Sequence, residues 1–151
     1  MKDGSKKDTD ARNEEAAAID ILVTAEFLRM RGVELFKASD LTHAQYNVLR
    51  ILRGAGRAGL RCTEISERMI TRDPDVTRML DRLEARGLIS RERQSDDRRV
   101  VLTFISAKGL DLLKELDGPV KKMHEETLKK ISSVELKTLV SILTKIRGAK
   151  S

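Results

Sequence analysis

The hydrophobic positions along the chain predict a series of amphipathic helices with one alternating segment between them. Apolar residues recur at intervals of three or four over most of the chain, as on one face of a helix. The exception is the stretch 88–105, where two short strand-like runs flank a polar tip. The predicted helices are Asn13 to about Lys37, Thr42 to about Arg53, Thr63–Met69, Asp73 to about Arg86, a stripe from Ser106 to Ile131, and a last segment from Ser133.

The centre of the chain has the order helix, turn, helix, β-hairpin. A short helix at Thr63–Met69 leads through three residues to a second helix, 73–86, which stops at Gly87. The strand-like runs Leu88–Arg93 and Val100–Ile105 follow directly. This order is typical of a winged helix-turn-helix, which lays its second helix in a DNA major groove. The predicted fold class is therefore mainly α with a small β-hairpin wing (α+β), with the DNA-binding domain at 40–105.

The second helix carries the candidate base-reading side chains. Asp73 is predicted as its N-cap and Pro74 as its first helical residue. The side chains predicted to face the core are Val76, Met79, Leu80 and Leu83. The opposite face presents Asp75, Thr77, Arg78, Asp81 and Arg82. Arg makes forked contacts to guanine, and Thr bonds a phosphate or touches a thymine methyl. The alternative is a solvated helix face with Asp–Arg pairs.

The hairpin tip carries a second candidate contact. Asp97 and Arg99 are separated by one residue, which in an extended segment puts both side chains on one side. The Asp97 carboxylate is then expected to hold the Arg99 guanidinium aimed outward. Arg98 points the other way, toward a phosphate. A solvated hairpin tip is the alternative.

These motifs together resemble the MarR (multiple antibiotic resistance regulator) family. The stretch Val76–Ile89 resembles that family's recognition helix and first wing strand, and Asp97-Arg98-Arg99 resembles its wing signature. Ser106-Ala107-Lys108-Gly109 follows at the expected distance, although the family has Leu-Thr where this chain has Ile105-Ser106. The resemblance covers about Glu15 to Arg147.

The resemblance implies that the Arg of the wing enters the minor groove and that the Asp orients it. A narrow A·T-rich groove suits an Arg. The recognition helix 73–86 is thus expected in the major groove and the wing 89–105 in the minor groove of double-stranded DNA. The expected DNA contacts are Arg72, Asp75, Thr77, Arg78 and Arg82 from the recognition helix and Asp97, Arg98 and Arg99 from the wing.

The long flanking helices, 13–38 and 106–148, are predicted to form a dimer. The first is apolar over more than one face, which requires cover on several sides. In so short a chain the natural cover is a second protomer. Gly32 is expected at a close crossing or a kink. Gly118-Pro119 should kink or briefly interrupt the 106–131 stripe, and 1–12 should be a disordered charged tail. The predicted dimerisation residues are Leu22, Leu28, Leu136, Leu139 and Leu143.

Charge distinguishes the middle of the chain from its end. The 151 residues carry a net charge of +6, which favours a polyanionic partner. Residues 50–99 contain thirteen Arg and no Lys, while 108–150 contain nine Lys and one Arg. However, 61–99 also holds nine acids, so a basic patch requires those acids to pair or to turn inward. Three Phe, one Tyr and no Trp argue against a base-stacking, single-strand binder.

The sequence gives little support for a disulfide, a metal site, an enzyme active site or a membrane span. The single cysteine, Cys62, excludes an internal disulfide and fits a reducing cytoplasm. Whether Cys62 is structural or redox-active stays open. His43, expected as an exposed helix-start residue, and His124 are far apart and form no known metal-ligand spacing with Cys62. There is no glycine-rich phosphate loop, no HExxH pattern, no nucleophile elbow and no apolar run long enough for a membrane span. No catalytic residue, metal or cofactor is expected.

The sequence therefore predicts a homodimeric, sequence-specific DNA-binding regulator of transcription that reads pseudo-palindromic duplex DNA. The resemblance implies a repressor and a small anionic or phenolic effector bound between the dimer helices and the reading domain. One alternative is a winged helix used for protein interaction, in which the arginines of the reading face would pair internally. Another is a non-specific architectural DNA-binding module, with the same basic patch but no preferred sequence.

Overall fold

The computed structural model describes residues 3–71, 73–95 and 97–148, with side chains from Arg12 onward. It confirms the predicted fold class, since the described residues form helices α1 to α6 and one two-stranded antiparallel hairpin. The elements are α1 (Asp3–Lys37), α2 (His43–Ala55), a 3-10 turn (Gly56–Ala58), α3 (Cys62–Arg68), α4 (Val76–Ala85), β1 (Ile89–Arg93), β2 (Val101–Ile105), α5 (Ala107–Leu128) and α6 (Ser133–Ile146).

Helix α1 is longer than predicted. It begins at Asp3 rather than Asn13, so a helix replaces most of the disordered tail predicted for 1–12, while Met1 and Lys2 lie outside the described residues. No proline or glycine stands between Ser5 and Arg31, so nothing in the sequence stops the helix from extending toward its N-terminus. Gly32 lies at a close crossing with α2, as expected. A Cβ there would come within 2.7 Å of the His43 ring.

In the sequence, Thr42 followed three residues later by Gln45 predicts a capping box at the start of α2, and the structure confirms it. The Thr42 hydroxyl accepts the Gln45 N–H at 3.1 Å, and the Gln45 side chain accepts the Thr42 N–H at 3.0 Å. His43 is half-buried rather than exposed, and its ring packs edge-on against Phe36 at 5.7 Å. The α1–α2 crossing accounts for this burial.

Helix α4 begins two residues later than predicted. Its N-cap is Asp75, whose carboxylate accepts the Arg78 N–H at 3.3 Å, and not Asp73. Asp73 instead accepts the Asp75 N–H at 2.8 Å, a local turn that keeps Pro74 outside the helix. The apolar face is buried as predicted, and it contains Val76, Met79, Leu80 and Leu83.

The core of the winged part lies beneath α4 and the hairpin. Strand β1 pairs with β2 in a register that sets Ile89 opposite Ile105 and Arg91 opposite Thr103. Leu60 adds a bridge on the other side of β2, with reciprocal backbone hydrogen bonds to Thr103 of 2.8 and 3.0 Å. The largest fully buried side chains are Phe36, Leu49, Leu52, Ile65, Leu80, Leu83, Leu88, Leu113, Val48 and Thr103.

Helix α5 runs without a break through Pro119, so of the two predicted alternatives at Gly118-Pro119 the interruption is wrong. Glycine before a proline lacks the Cβ that would otherwise crowd the ring in a helix. At the start of α5, Ser106 donates to the Gly87 carbonyl and accepts the Gly109 N–H. The chain divides into two compact units within α5, one ending at Glu115 and one beginning at Leu116.

Both units expose apolar side chains on helices. In α1 every residue from Arg12 to Arg31 is exposed, and Leu22 has 69% of its surface accessible. In α6, which a Ser132–Glu135 capping box starts, Leu139 is exposed while Leu136 and Leu143 are half-buried. The exposed large hydrophobic residues of these two helices are Ile19, Ile21, Leu22, Val23, Phe27, Leu28, Met30, Val134, Leu139, Val140, Ile142 and Ile146.

Candidate nucleic-acid interface

The outward face of α4 is formed by the polar side chains between its buried positions. Thr77, Arg78 and Arg82 are all exposed. The Arg78 side chain is 69% accessible, and its nearest described carboxylate, that of Asp75, is 4.0 Å away. An exposed ion pair at that distance contributes little to stability, so the Asp75 carboxylate does not hold the Arg78 guanidinium in place. Asp75 itself serves as the helix cap. Arg72 lies outside the described residues.

The wing tip is a turn and not the extended segment that the sequence suggested. The Val100 N–H donates to the Asp97 carbonyl at 2.9 Å, which closes the turn. Within it the Asp97 carboxylate accepts the Arg99 N–H at 3.0 Å and lies 3.7 Å from Arg99 Nε. Asp97 therefore stands beside Arg99 as predicted, although through turn geometry. The Arg99 side chain is 96% accessible, and Arg98 is also exposed.

A link between α4 and the wing joins three residues that the sequence prediction did not include as a site. Arg91 of β1 donates from Nη2 to Asp81 at 2.6 Å and from Nε to Glu84 at 2.9 Å, with a second bond from Nη2 to Glu84. The hydrogen bond with Glu84, followed by that with Asp81, raises the pKa of Arg91 above its ordinary value. The alternation along β1 could have indicated this link, because Arg91 lies two residues from Ile89 and therefore on the same, buried face of the strand.

The C-terminal end of α4 is tied to two other parts of the chain. Arg86 donates to the carbonyl oxygens of Asp40 at 2.6 Å and Ser39 at 3.0 Å, in the loop between α1 and α2. Lys108 of α5 donates to the Arg86 carbonyl at 2.8 Å. These bonds satisfy carbonyl acceptors that follow α1 and end α4.

The turn before α4 has its own supports. The Asn47 side chain in α2 accepts the Ile70 N–H at 2.9 Å. Cys62, at the start of α3, lies with its Sγ 3.8 Å from the Thr77 hydroxyl of α4. Cys62 is half-buried. The contact places the cysteine against the helix predicted to read DNA.

An open cavity of about 900 Å³ lies beside this turn and the C-terminal end of α4. Its wall combines apolar side chains, among them Val33, Leu41 and Met69, with the cations Arg82 and Arg86. Such a mixture suits a small ligand with an apolar body and an anionic group. The other lining residues are Arg29, Lys37, Asp40, Thr42, His43, Ala44, Gln45, Asn47, Ile70, Thr71 and Ala85.

The part of the chain that the structure describes contains no cluster of three or more side chains suited to hold a metal ion. Among the same residues, no helix is long and apolar enough to cross a membrane.

Comparisons with known proteins agree with this geometry. A sequence model described as the MarR family matches residues 41–101. The MarR transcription factor from Planctomyces limnophilus is 35% identical, over 85% of this chain and 93% of that one, with a TM-score of 0.67. A mutant MarR from E. coli, complexed with operator DNA, is 27% identical over 89% and 96% of the two chains, with a TM-score of 0.76.

A third similar structure comes from a study of how 6-hydroxynicotinic acid regulates DNA binding by BpsR of Bordetella bronchiseptica. It is 23% identical over 87% of this chain and 94% of that one, with a TM-score of 0.73, a likeness that shows the fold. The matched region, the level of identity and the winged helix-turn-helix geometry lead to one conclusion. The chain belongs to the MarR family, whose members are transcriptional regulators with a winged-helix DNA-binding fold.

Proposed function

We propose that the protein is a homodimeric, sequence-specific regulator of transcription, acting in the cytoplasm as a repressor on pseudo-palindromic double-stranded DNA. Helix α4 would enter the major groove, with Thr77, Arg78 and Arg82 toward the bases and phosphates. The wing would reach the minor groove with Arg99, steadied by Asp97, while Arg98 would take a phosphate. Arg72 and Asp75 would stand at the start of the reading helix. The protein would act by binding rather than by catalysis.

The observation that carries this proposal is the exposure of the arginines on α4 and the wing. Among the described residues, Arg78, Arg82, Arg98 and Arg99 all stand out into solvent. The protein-interaction alternative requires internal pairing of these side chains, and the weak contacts of Arg78 and Arg99 with their neighbouring aspartates do not amount to that. The complex of E. coli MarR with operator DNA supports duplex DNA as the partner.

Homodimer formation is supported by the uncovered apolar side chains of α1 and α6. Contiguous exposed hydrophobic residues mark interaction sites in soluble proteins. We propose that Leu22, Leu28, Leu136, Leu139 and Leu143 contribute to this interface. A two-fold dimer would present two recognition helices to two half-sites about one helical turn apart.

Release from DNA by a small anionic or phenolic effector is supported by the cavity beside α4. Arg82 and Arg86 belong both to the cavity wall and to the end of α4. A ligand that prefers one arrangement of α4 over another would shift the protein toward that arrangement. The regulation of BpsR by 6-hydroxynicotinic acid makes aromatic carboxylates the first compounds to test.

The experiment is selection from a randomised duplex pool at two salt concentrations, followed by binding titrations on the enriched sequence. An enriched inverted repeat, with affinity that falls steeply as salt rises, is expected, because phosphate contacts release counterions. The spacing of the repeat then gives the distance between the reading helices. Adding aromatic carboxylates to the same titration tests release.

Two other outcomes would contradict the proposal in different ways. Salt-sensitive binding without an enriched sequence would favour the architectural module. Absence of binding at both salt concentrations, with and without the candidate effectors, would favour a winged helix used for protein interaction.

A further inference from the structure

Arg91 joins the two elements that face DNA in the proposed function. It lies on β1 of the wing, and its guanidinium group bonds the carboxylates of Asp81 and Glu84, which are one turn apart on α4. The contacts span seven and ten residues of sequence, so they bridge two elements rather than neighbours along one helix. Arg91 thus connects the reading helix to the middle of the hairpin through hydrogen-bonded ion pairs.

The Arg91 side chain is held in place more firmly than a solvent-exposed ion pair would be. Only 26% of the Arg91 side chain is accessible, whereas 69% of Arg78 and 96% of Arg99 are. A planar guanidinium with two nitrogens bound keeps one orientation, which a lysine ammonium cannot do. The backbone at Arg91 is also held, because it is paired with Thr103 in the middle of the hairpin.

The same contacts change the charge of the reading face. Asp81 and Glu84 belong to the helix that would approach the phosphates, where carboxylates oppose binding. Both are occupied by a single arginine of the wing. The exposed cations Arg78 and Arg82 then stand beside paired acids rather than free ones.

We propose that Arg91 is a positioning residue for DNA recognition, which holds the wing at a fixed angle to α4 by bridging Asp81 and Glu84. This inference rests on the proposed function, because it concerns how the helix and the wing reach two grooves at once. The angle decides whether Arg99 meets the minor groove while α4 lies in the major groove. Loss of the bridge lowers discrimination between sequences more than it lowers affinity for DNA in general.

The test measures binding to the selected operator and to an unrelated duplex of equal length. The discrimination ratio is the dissociation constant for the unrelated duplex divided by that for the operator. Three changes break the bridge: Arg91→Ala, Arg91→Lys, and the double variant Asp81→Ala/Glu84→Ala. Each is expected to lower the ratio by about fivefold or more, the size of one lost specific contact. Hydroxyl-radical footprints should also lose protection at the outer minor grooves.

The double variant separates positioning from simple electrostatics. It removes two negative charges, so an electrostatic role alone predicts tighter binding to every duplex and an unchanged ratio. Arg91→Lys keeps the charge, so a purely electrostatic role predicts the wild-type ratio for this variant. The matched control is Arg93→Ala, which removes the same charge from the same face of β1, at an exposed position without a described bond to α4. It should weaken both duplexes together.

Combining the changes tests whether they act through one interaction. Arg91→Ala added to the double variant should lower the ratio no further than Arg91→Ala alone. Circular dichroism and thermal unfolding verify that each variant is folded. On α4, Asp81 is exposed and Glu84 is half-buried, so the double variant tests the bridge even where Arg91→Ala unfolds.

The outcomes distinguish this inference from the function on which it rests. A wild-type protein without preference for any duplex overturns both. A wild-type protein that discriminates, together with bridge variants that keep its ratio, overturns the positioning role and leaves the proposed function intact. A lowered ratio in all three bridge variants and an unchanged ratio in Arg93→Ala supports the inference.

Discussion

At the residue scale, the arginines of the winged helix-turn-helix at 40–105, called the winged unit below, differ in what their guanidinium groups contact. Arg78 stands in solvent 4.0 Å from its nearest described acid, Arg91 is engaged by two carboxylates, and Arg86 is bound to two backbone carbonyls. A guanidinium group whose donors are taken within the protein positions other groups, and one whose donors are free can bind a ligand. The same residue type is therefore bound to backbone carbonyls at Arg86, bridges two carboxylates at Arg91 and is exposed to solvent at Arg78.

Arg78→Ala should weaken binding to the selected operator by about 1–3 kcal/mol and relax preference at one base pair. The reason is loss of a forked contact to a base edge, which an exposed arginine on the reading helix is placed to make. Competition titrations with single-base operator variants measure both the affinity and the base preference. Arg78→Lys is the matched control, because it keeps the charge but not the fork, and it should retain non-specific affinity while base preference falls. Equal loss on all sequences would make Arg78 a phosphate contact.

At the scale of elements, sequence reasoning succeeded where the determining interactions are local. The Thr42–Gln45 capping box and the buried face of α4 depend on residues three or four apart, and both are as predicted. The N-cap of α4 was misplaced because two aspartates compete, and the turn that Asp73 makes with the Asp75 N–H decides between them. The Arg91 bridge and the Leu60–Thr103 pairing join distant residues, whose proximity only the folded chain establishes.

Two glycines within helices should respond oppositely to the same substitution. Gly109→Ala should destabilise the protein although alanine favours helices, because the added Cβ would overlap the Leu88 carbonyl oxygen and crowd Ile105. Gly54→Ala in α2, where nothing lies within 4 Å of the added Cβ, should stabilise it by about 0.5–1 kcal/mol. Denaturant unfolding of both variants measures the difference. A stabilised Gly109→Ala variant would mean that the start of α5 does not lie tightly against the base of the wing.

At the scale of the whole molecule, the described chain buries its hydrophobic residues unevenly. The winged unit has a closed core, while α1 leaves Leu22 and Val23 more than 60% accessible and α6 does the same with Val134. Isolated exposed hydrophobic residues are ordinary. A helix in which every residue from Arg12 to Arg31 is exposed, its hydrophobic residues included, is not. A second protomer would bury this helix and, by its two-fold symmetry, match the protein to an inverted repeat.

Leu22→Asp should therefore convert the protein from a dimer to a monomer without unfolding the winged unit. The side chain is 69% accessible in the single chain, so aspartate is solvated there, whereas in an interface it would be a buried charge without a partner. Sedimentation equilibrium measures the molecular mass, and affinity for the inverted repeat should fall to that for a single half-site. Ile70→Asp is the matched control for the molecular mass, since Ile70 is 75% accessible but lies in the turn before α4, and this variant should stay dimeric. A Leu22→Asp variant that stays dimeric would move the interface away from this face of α1, and the spacing of the half-sites would then have to be set by other helices.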